Sequence, residues 1–325
     1  MFTGDTEVKN NSLIEQYHPI WDVPLRDTCL VRLYSSSDNT LYNNTCIGSA
    51  YGIYLENSPY TQIIENNCTR NCIGIYVSNS DYTEVTNNTL TAQQSWLSSE
   101  GYGIRIEDSD FVEVIDNNCL DNEQYGIVFE KSYTGLIAEN VCINHSYGGI
   151  LLYKSNATNL RDNTCLQNKY GMIFSTTGNH VVKGTLCTAN GIGMVIGFTR
   201  YLRVTENNFS YNLLDGIMVH GADIRIDRNL FWGNLVGVRF YPDSRDCLTE
   251  DNLFVENLHS DTSVCYNAYD EGLNNIYTSN YWSDYTGPDE DGNGIGDVPY
   301  TIKGNAASLD EKPWMLPPGA LPVWL

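Results

Sequence analysis

Positive charge is scarce in this sequence. Lys and Arg number 18 against 40 Asp and Glu in 325 residues, a formal net charge of −22. Such a surface repels phosphate backbones, so nucleic acid and anionic membranes are poor partners, whereas cations, cationic partners and neutral polymers such as glycans suit it. Long apolar runs are also missing. None approaches the ~20 residues that cross a bilayer, so no membrane span is expected. The opening MFTGDTEVKN has no basic stretch followed by an apolar one and does not read as a signal peptide. The expectation is a cytosolic chain or the mature part of an exported one. The length suits one large domain or two ordinary ones.

What is present is a repeat. The stretches NTCIGSAYGIYL, NNCLDNEQYGIVF, NVCINHSYGGILL and NTCLQNKYGMIF share an Asn, an apolar residue two later, and a Gly followed by apolar-x-apolar. The Asn recurs at 44, 66, 88, 117, 140, 163, 207, 229 and 252, with Gly184 standing in once. The Gly recurs at 52, 74, 103, 126, 149, 171, 193, 216 and 237. Steps are 21–23 residues, apart from one of 29 before Asn117. Short runs of period two follow each Gly and precede each Asn, which predicts strands. Before the Asn, Leu41, Ile63, Val85, Val114, Ile137, Leu160, Val181, Val204 and Ile226 are expected to point inward. A unit of about 22 residues with two or three short strands is one turn of a parallel β-solenoid. The Asn is expected at a left-handed corner, hydrogen-bonded to its counterpart one coil away. The Gly is expected at another corner where φ is positive. The inward residue two after each Asn runs Cys46, Cys68, Leu90, Cys119, Cys142, Cys165, Leu186, Phe209, Phe231, Phe254 and Trp282, a core that widens toward the C-terminus. The stacked cysteines are read as buried free thiols, and Cys247 with Cys265 as the better disulfide candidates because both sit where the repeat turns irregular.

The predicted organisation is a cap over residues 1–25, coils over 26–282 and a second cap over 283–325. In the first cap, Ser12 to Glu15 has the Ser-x-x-Glu spacing of a helix start. Departures from the repeat are where function is sought. The seven-residue excess TAQQSWLSSEG is expected to project as a loop carrying Trp96, a candidate sugar-stacking residue. Outward positions two after the Gly are apolar on five successive coils, at Val128, Leu151, Ile173, Val195 and Met218. This stripe expects a cover, either the tail KPWMLPPGALPVWL or else a second subunit or a flat ligand. Charged clusters sit at Asp223, Arg225, Asp227 and Arg228 with Arg203, and at Glu107 with Glu130.

In GPDEDGNGIGDVPY, side-chain oxygens at Asp289, Asp291, Asn293 and Asp297, a carbonyl at Ile295 and a glycine at Gly294 follow the pattern of a calcium loop. Tyr300 stands where a bidentate Glu is usual, so the expectation is a structural Ca²⁺ of modest affinity, with Asp284 or Asp310 as a further ligand. The coils together with NYWSDYTGPDEDGNGIGDVPYTIKGN and DEKPWM resemble the NosD-type β-helix proteins over residues 29–316. The repeat gives about ten coils, and the resemblance implies that they form a right-handed parallel β-helix, in the carbohydrate-binding and sugar-hydrolase superfamily, with an extracellular or cell-surface setting. The namesake role of that family is copper delivery, and the residues here do not carry it over. Copper handling wants Met, His and accessible Cys together, whereas His18, His145, His180, His220 and His259 are scattered. The expected function is a non-catalytic structural or adhesive β-helix that self-associates or binds glycan. A polysaccharide lyase or glycoside hydrolase with an acidic outer face, and a copper-handling accessory protein, are the alternatives.

Overall fold

A computed structural model describes residues 7–14, 28–94, 100–257 and 266–317. All regular structure in these residues is β. The chain forms two compact units, Met1–Lys169 and Tyr170–Leu325, and each is built from the same coil.

In the first unit one coil reads Glu113–Ile115, Asn118–Leu120, Tyr125–Glu130. Equivalent strands of successive coils pair in parallel and in register, as in Ile104↔Ile127 and Ile127↔Ile150. In-register pairing stacks like on like. Cys46, Cys68, Cys119, Cys142 and Cys165 fill one fully buried column. In the second unit Phe209, Phe231, Phe254 and Trp282 stack at ring separations of 5.4, 4.8 and 4.4 Å. Tyr300 closes that column against Trp282 at 4.3 Å. Cys46, Cys68, Cys119 and Cys142 are free thiols. Sulfur-to-sulfur hydrogen bonding from Cys46 and burial push the Cys68 thiol well up, and Cys142, between Cys119 and Cys165, is raised in the same way. Burial in apolar surroundings makes thiols of this kind unreactive.

The corners are sharper than the repeat suggested. The left-handed residue is the one before the ladder Asn: Asn87, Asp116, Glu139 and Asp162 have φ of 55–59°. The Asn itself is not left-handed and is buried. Asn140 Oδ1 accepts from the Asn117 amide N–H and Nδ2, both at 3.0 Å, and Asn140 Nδ2 donates to Val114 O, Ala138 O and Asn163 Oδ1. The same ladder runs from Asn207 through Asn229 and Asn252 to Asn280. It ends on the buried carboxylate of Asp310, which accepts from Asn280 N and Nδ2, Ser279 N, Trp282 Nε1 and Lys312 N. The recurring Gly does not take positive φ. It lies inside a strand because there is no room for a side chain: a Cβ on Gly126 would sit 2.7 Å from Gly149 O.

Four expectations are corrected. The coil that lacks an Asn is shifted by one residue, so Thr185 takes the rung and donates its amide to Asn207 Oδ1 at 2.8 Å. Val182 and Cys187 are therefore the inward residues, while Val181 is 38% exposed and Leu186 faces outward. Pairing begins upstream of residue 26, since Glu7–Lys9 and Ser12–Ile14 pair with Thr40–Tyr42 and Thr45–Ile47. No helix starts at Ser12, because the neighbouring coil supplies a parallel strand partner there. Cys247 is a buried free thiol within 3.3 Å of Arg245 O rather than half of a disulfide, and Cys265 lies outside the described residues.

Candidate functional site

On the first unit the outward face of the six-residue strands collects tyrosines. Tyr54 and Tyr76 are register partners, and Arg105 follows them in the same column. Tyr51, Tyr102 and Tyr125 flank it. The rings of Tyr54 and Tyr76 meet at 60° with centroids 5.1 Å apart, so they are tilted against each other rather than stacked face to face. The Arg105 guanidinium lies 5.5 Å from the Tyr76 ring centroid and 5.9 Å from that of Tyr102. It bonds Glu107 and Glu130 at 3.0 Å each. Tyr76 Oη donates to Glu107 at 2.6 Å, and Lys131 approaches the other Glu107 oxygen at 3.4 Å.

Electrostatics at this face hold charge in place. Burial alone would raise the Glu107 carboxyl, but the Tyr76 hydroxyl, Arg105 and Lys131 outweigh it and leave it below the usual range. Burial and the Glu107 carboxylate push the Tyr76 hydroxyl up, and burial takes Tyr51 up to about 12. A hydrolytic pair needs one carboxyl raised to act as acid. Glu107 goes the other way and is a fixed hydrogen-bond acceptor. Beside this coil a shallow depression of about 430 Å³ is lined by polar groups, among them Gln93, Asp121, Glu123 and Asn144.

On the second unit the charged cluster at 223–228 forms a clamp. Asp227 is nearly buried. It takes Arg203 in a two-point contact at 2.9 Å and bonds Thr205 and Arg228 as well. Burial raises its carboxyl, and the bonds from Arg203 and Thr205 more than reverse that. Asp215 is tied to Arg239 at 3.1 Å; here burial prevails and its carboxyl is raised. Paired carboxylates of this kind hold neighbouring coils together and have few lone pairs left for a substrate.

The acidic loop is wound by its own side chains. Asp289 accepts from the amides of Asn293 and Gly294, Asp291 from Asn293, Asn293 Oδ1 from Ile295, and Asp297 from Glu290. Gly292 and Gly294 supply the positive φ this winding requires. Among the described residues no three His, Cys, Asp or Glu side chains converge as a metal would need. Asp284 accepts from Asn267 and Tyr300, and Asp310 from the end of the ladder. The loop grips the chain that follows it. Gly296 N donates to Pro313 O, Met315 N to Gly294 O, and Trp314 N to Asn280 O.

The apolar outward positions are less open than expected. Val128 is 4% exposed and Leu151 half-buried on the first unit; Ile173, Val195 and Met218 are half-buried on the second. Residues 313–315 are pinned to the last coil rather than to those positions. Trp96 and residues 318–325 lie outside the described residues.

The family profile described as right handed beta helix region matches residues 3–165 and 148–305. The chain belongs to the right-handed β-helix family. This β-helix protein is similar to the periplasmic alginate epimerase AlgG, with 18% identity over 60% of this chain and a TM-score of 0.55; it spans half of AlgG's length. It is also similar to the A-module of Azotobacter vinelandii mannuronan C-5 epimerase AlgE6, with 14% identity over 86% of this chain and 90% of the module, TM-score 0.60. A tailspike double mutant of E. coli bacteriophage HK620 in complex with pentasaccharide aligns at 12% identity over 86% of this chain and 59% of the tailspike, TM-score 0.53. At these identities the likeness is one of fold. No curated protein matches the sequence. The NosD-type mark remains a resemblance inside the wider family. No helix of the described residues is long and apolar enough to cross a membrane.

Proposed function

We propose that this β-helix is an extracellular or cell-surface glycan-binding protein, and that polysaccharide lies on the tyrosine face of the first unit. The observation that carries this is the set of Tyr51, Tyr54, Tyr76, Tyr102 and Tyr125 on successive coils around the Arg105–Glu107–Glu130 cluster. Tilted aromatic rings give a pyranose apolar contact, and fixed carboxylates and guanidinium give its hydroxyls partners. The low carboxyl of Glu107 favours binding over hydrolysis. Titration of the full chain with a panel of soluble neutral and acidic polysaccharides tests this. Tyr54→Ala and Tyr76→Ala are each expected to weaken binding about tenfold, roughly the 1.4 kcal/mol of one aromatic contact. Unchanged affinity in both variants sinks the assignment of the face. Release of reducing ends or unsaturated product sinks the non-catalytic reading and promotes a lyase or hydrolase.

Calcium in the 289–297 loop is proposed as a clamp that fastens the tail. The wound backbone and its oxygen-rich side chains support it. A ligand that binds only the folded state stabilises it by about 2.7 kcal/mol at a hundredfold excess over Kd. Thermal unfolding in calcium is therefore expected to run several degrees above unfolding in chelator, with Asp289→Ala abolishing the difference. Identical curves would leave the loop as a hydrogen-bonded turn.

A further inference from the structure

The second unit carries a groove that none of the clusters above uses. Phe198, Arg200, His220, Asp243 and Arg245 line a space of about 370 Å³. His220 and Asp243 are one coil apart, and Nδ1 lies 2.9 Å from Asp243 Oδ1. The carboxylate accepts from Nδ1, and Nε2 is the ring nitrogen left for a ligand. Tyr241 stacks on one side of the imidazole at 4.0 Å. On the other side the register partner is Gly197, where even an added Cβ would meet nothing closer than 3.6 Å. That side of the ring is open.

Two features of the groove fit a ligand. The arginines Arg200, Arg203, Arg225, Arg228 and Arg239 of this unit are each held by a carboxylate. Arg245 is exposed, and its guanidinium makes no ion pair among the described residues. Phe198 is 75% exposed on a left-handed backbone with φ of 51°. On other coils that turn is polar: Ser35, Asn57, Asn79, Asp108 and Lys131 on the first unit, Thr176 on the second. A bulky apolar residue in this conformation is strained and, left in water, gains nothing to offset it.

We propose that this groove binds a carboxylate-bearing sugar unit of an acidic polysaccharide, with Arg245 on the carboxylate, Phe198 against the sugar ring and His220 Nε2 hydrogen-bonded to a hydroxyl. The protein carries −22 overall, yet Arg200 and Arg245 balance Asp223 and Asp243 here, so a single negative charge is admitted. A doubly charged phosphate meets the two nearby aspartates at a higher cost. A planar carboxylate also matches the guanidinium fork.

Calorimetric titration of the full chain tests it with three oligosaccharides of equal length: a polyuronate, the same polyuronate with its carboxyls reduced to alcohols, and a sulfated dextran. The polyuronate is expected to bind at least about tenfold more tightly than either other ligand. Arg245→Ala is expected to lose about tenfold on the polyuronate alone, with its urea midpoint unchanged. Phe198→Ser should weaken the polyuronate and the reduced form alike. Lys183→Ala, a surface cation paired only with Glu206, should bind as wild type. Equal binding of the reduced oligomer, equal binding of sulfated dextran, or full affinity in Arg245→Ala each overturns the proposal. Loss of polyuronate binding in Tyr76→Ala but not Arg245→Ala does so too, and assigns the ligand to the first unit.

Discussion

Gly216→Ala is expected to destabilise the second unit by about 3 kcal/mol or more, the upper range for forcing atoms into a filled core. The added Cβ would lie 2.5 Å from Gly237 O and 2.9 Å from the Phe231 ring, with Asn234 Nδ2 at 3.3 Å. The nearest obstacle is backbone, and it belongs to the next coil's strand. It can retreat only by stretching the ladder that joins Asp215–Ala222 to Val236–Phe240. Gly197→Ala is the matched control. That glycine lies in the adjacent strand, with its nearest neighbour at an ordinary 3.6 Å, so its effect should stay within about 0.5 kcal/mol. The midpoint of urea unfolding, followed by circular dichroism, separates the two. Equal midpoints would mean that the glycine ladder is not set by crowding.

Asn140→Ala is expected to cost the first unit about 4 kcal/mol, because several buried polar groups lose a partner at roughly 1–3 kcal/mol each. The Asn117 amide N–H loses its acceptor, Val114 O and Ala138 O lose a donor, and Asn117 Nδ2 loses one of its three contacts while keeping Val85 O and Ile115 O. Asn140→Asp restores the acceptor for Asn117. It cannot donate to the two carbonyls and sets a carboxylate against Asn163 Oδ1, so it should not rescue. Asn144→Ala is the contrast, since its side chain bonds Asp121 in solvent; there the midpoint should barely move. A midpoint for Asn140→Ala equal to that of Asn144→Ala would show that the buried ladder adds nothing net.

Much of the architecture could be read along the chain because each coil repeats its chemistry at one spacing. Asn at 117, 140 and 163 and Cys at 119, 142 and 165 occupy the same place in three successive turns. Reading failed where the information is not local. A glycine that avoids a carbonyl 21–23 residues away looks in sequence like a glycine that turns. Left-handed Glu139 and Asp162 carry no sign of their backbone, since the flanking strand pairing imposes it. At 184–187 both Leu186 and Cys187 are apolar, so alternation offered no choice of phase; only the amide of Thr185 on Asn207 settles it. The functional faces were half legible. Tyr54, Tyr76 and Arg105 follow the glycine count, but Tyr76 reaching Glu107 needs a tilt of the ring that spacing does not encode. Asp243 was within reach: it is one period beyond His220, and counting 23 residues from each histidine finds it.

The bonds between side chains of the asparagine ladder all run one way, each Oδ1 accepting from the Asn of the coil before and each Nδ2 donating to that of the coil after. At the far end the Asp310 side chain accepts from Asn280 and Trp282 and offers no amide in return. Asp310 therefore closes the ladder. Duplicating a coil upstream leaves every rung satisfied, so the solenoid can lengthen from within. Adding a coil beyond Asp310 would face an acceptor with an acceptor, and would first require that one residue to become asparagine.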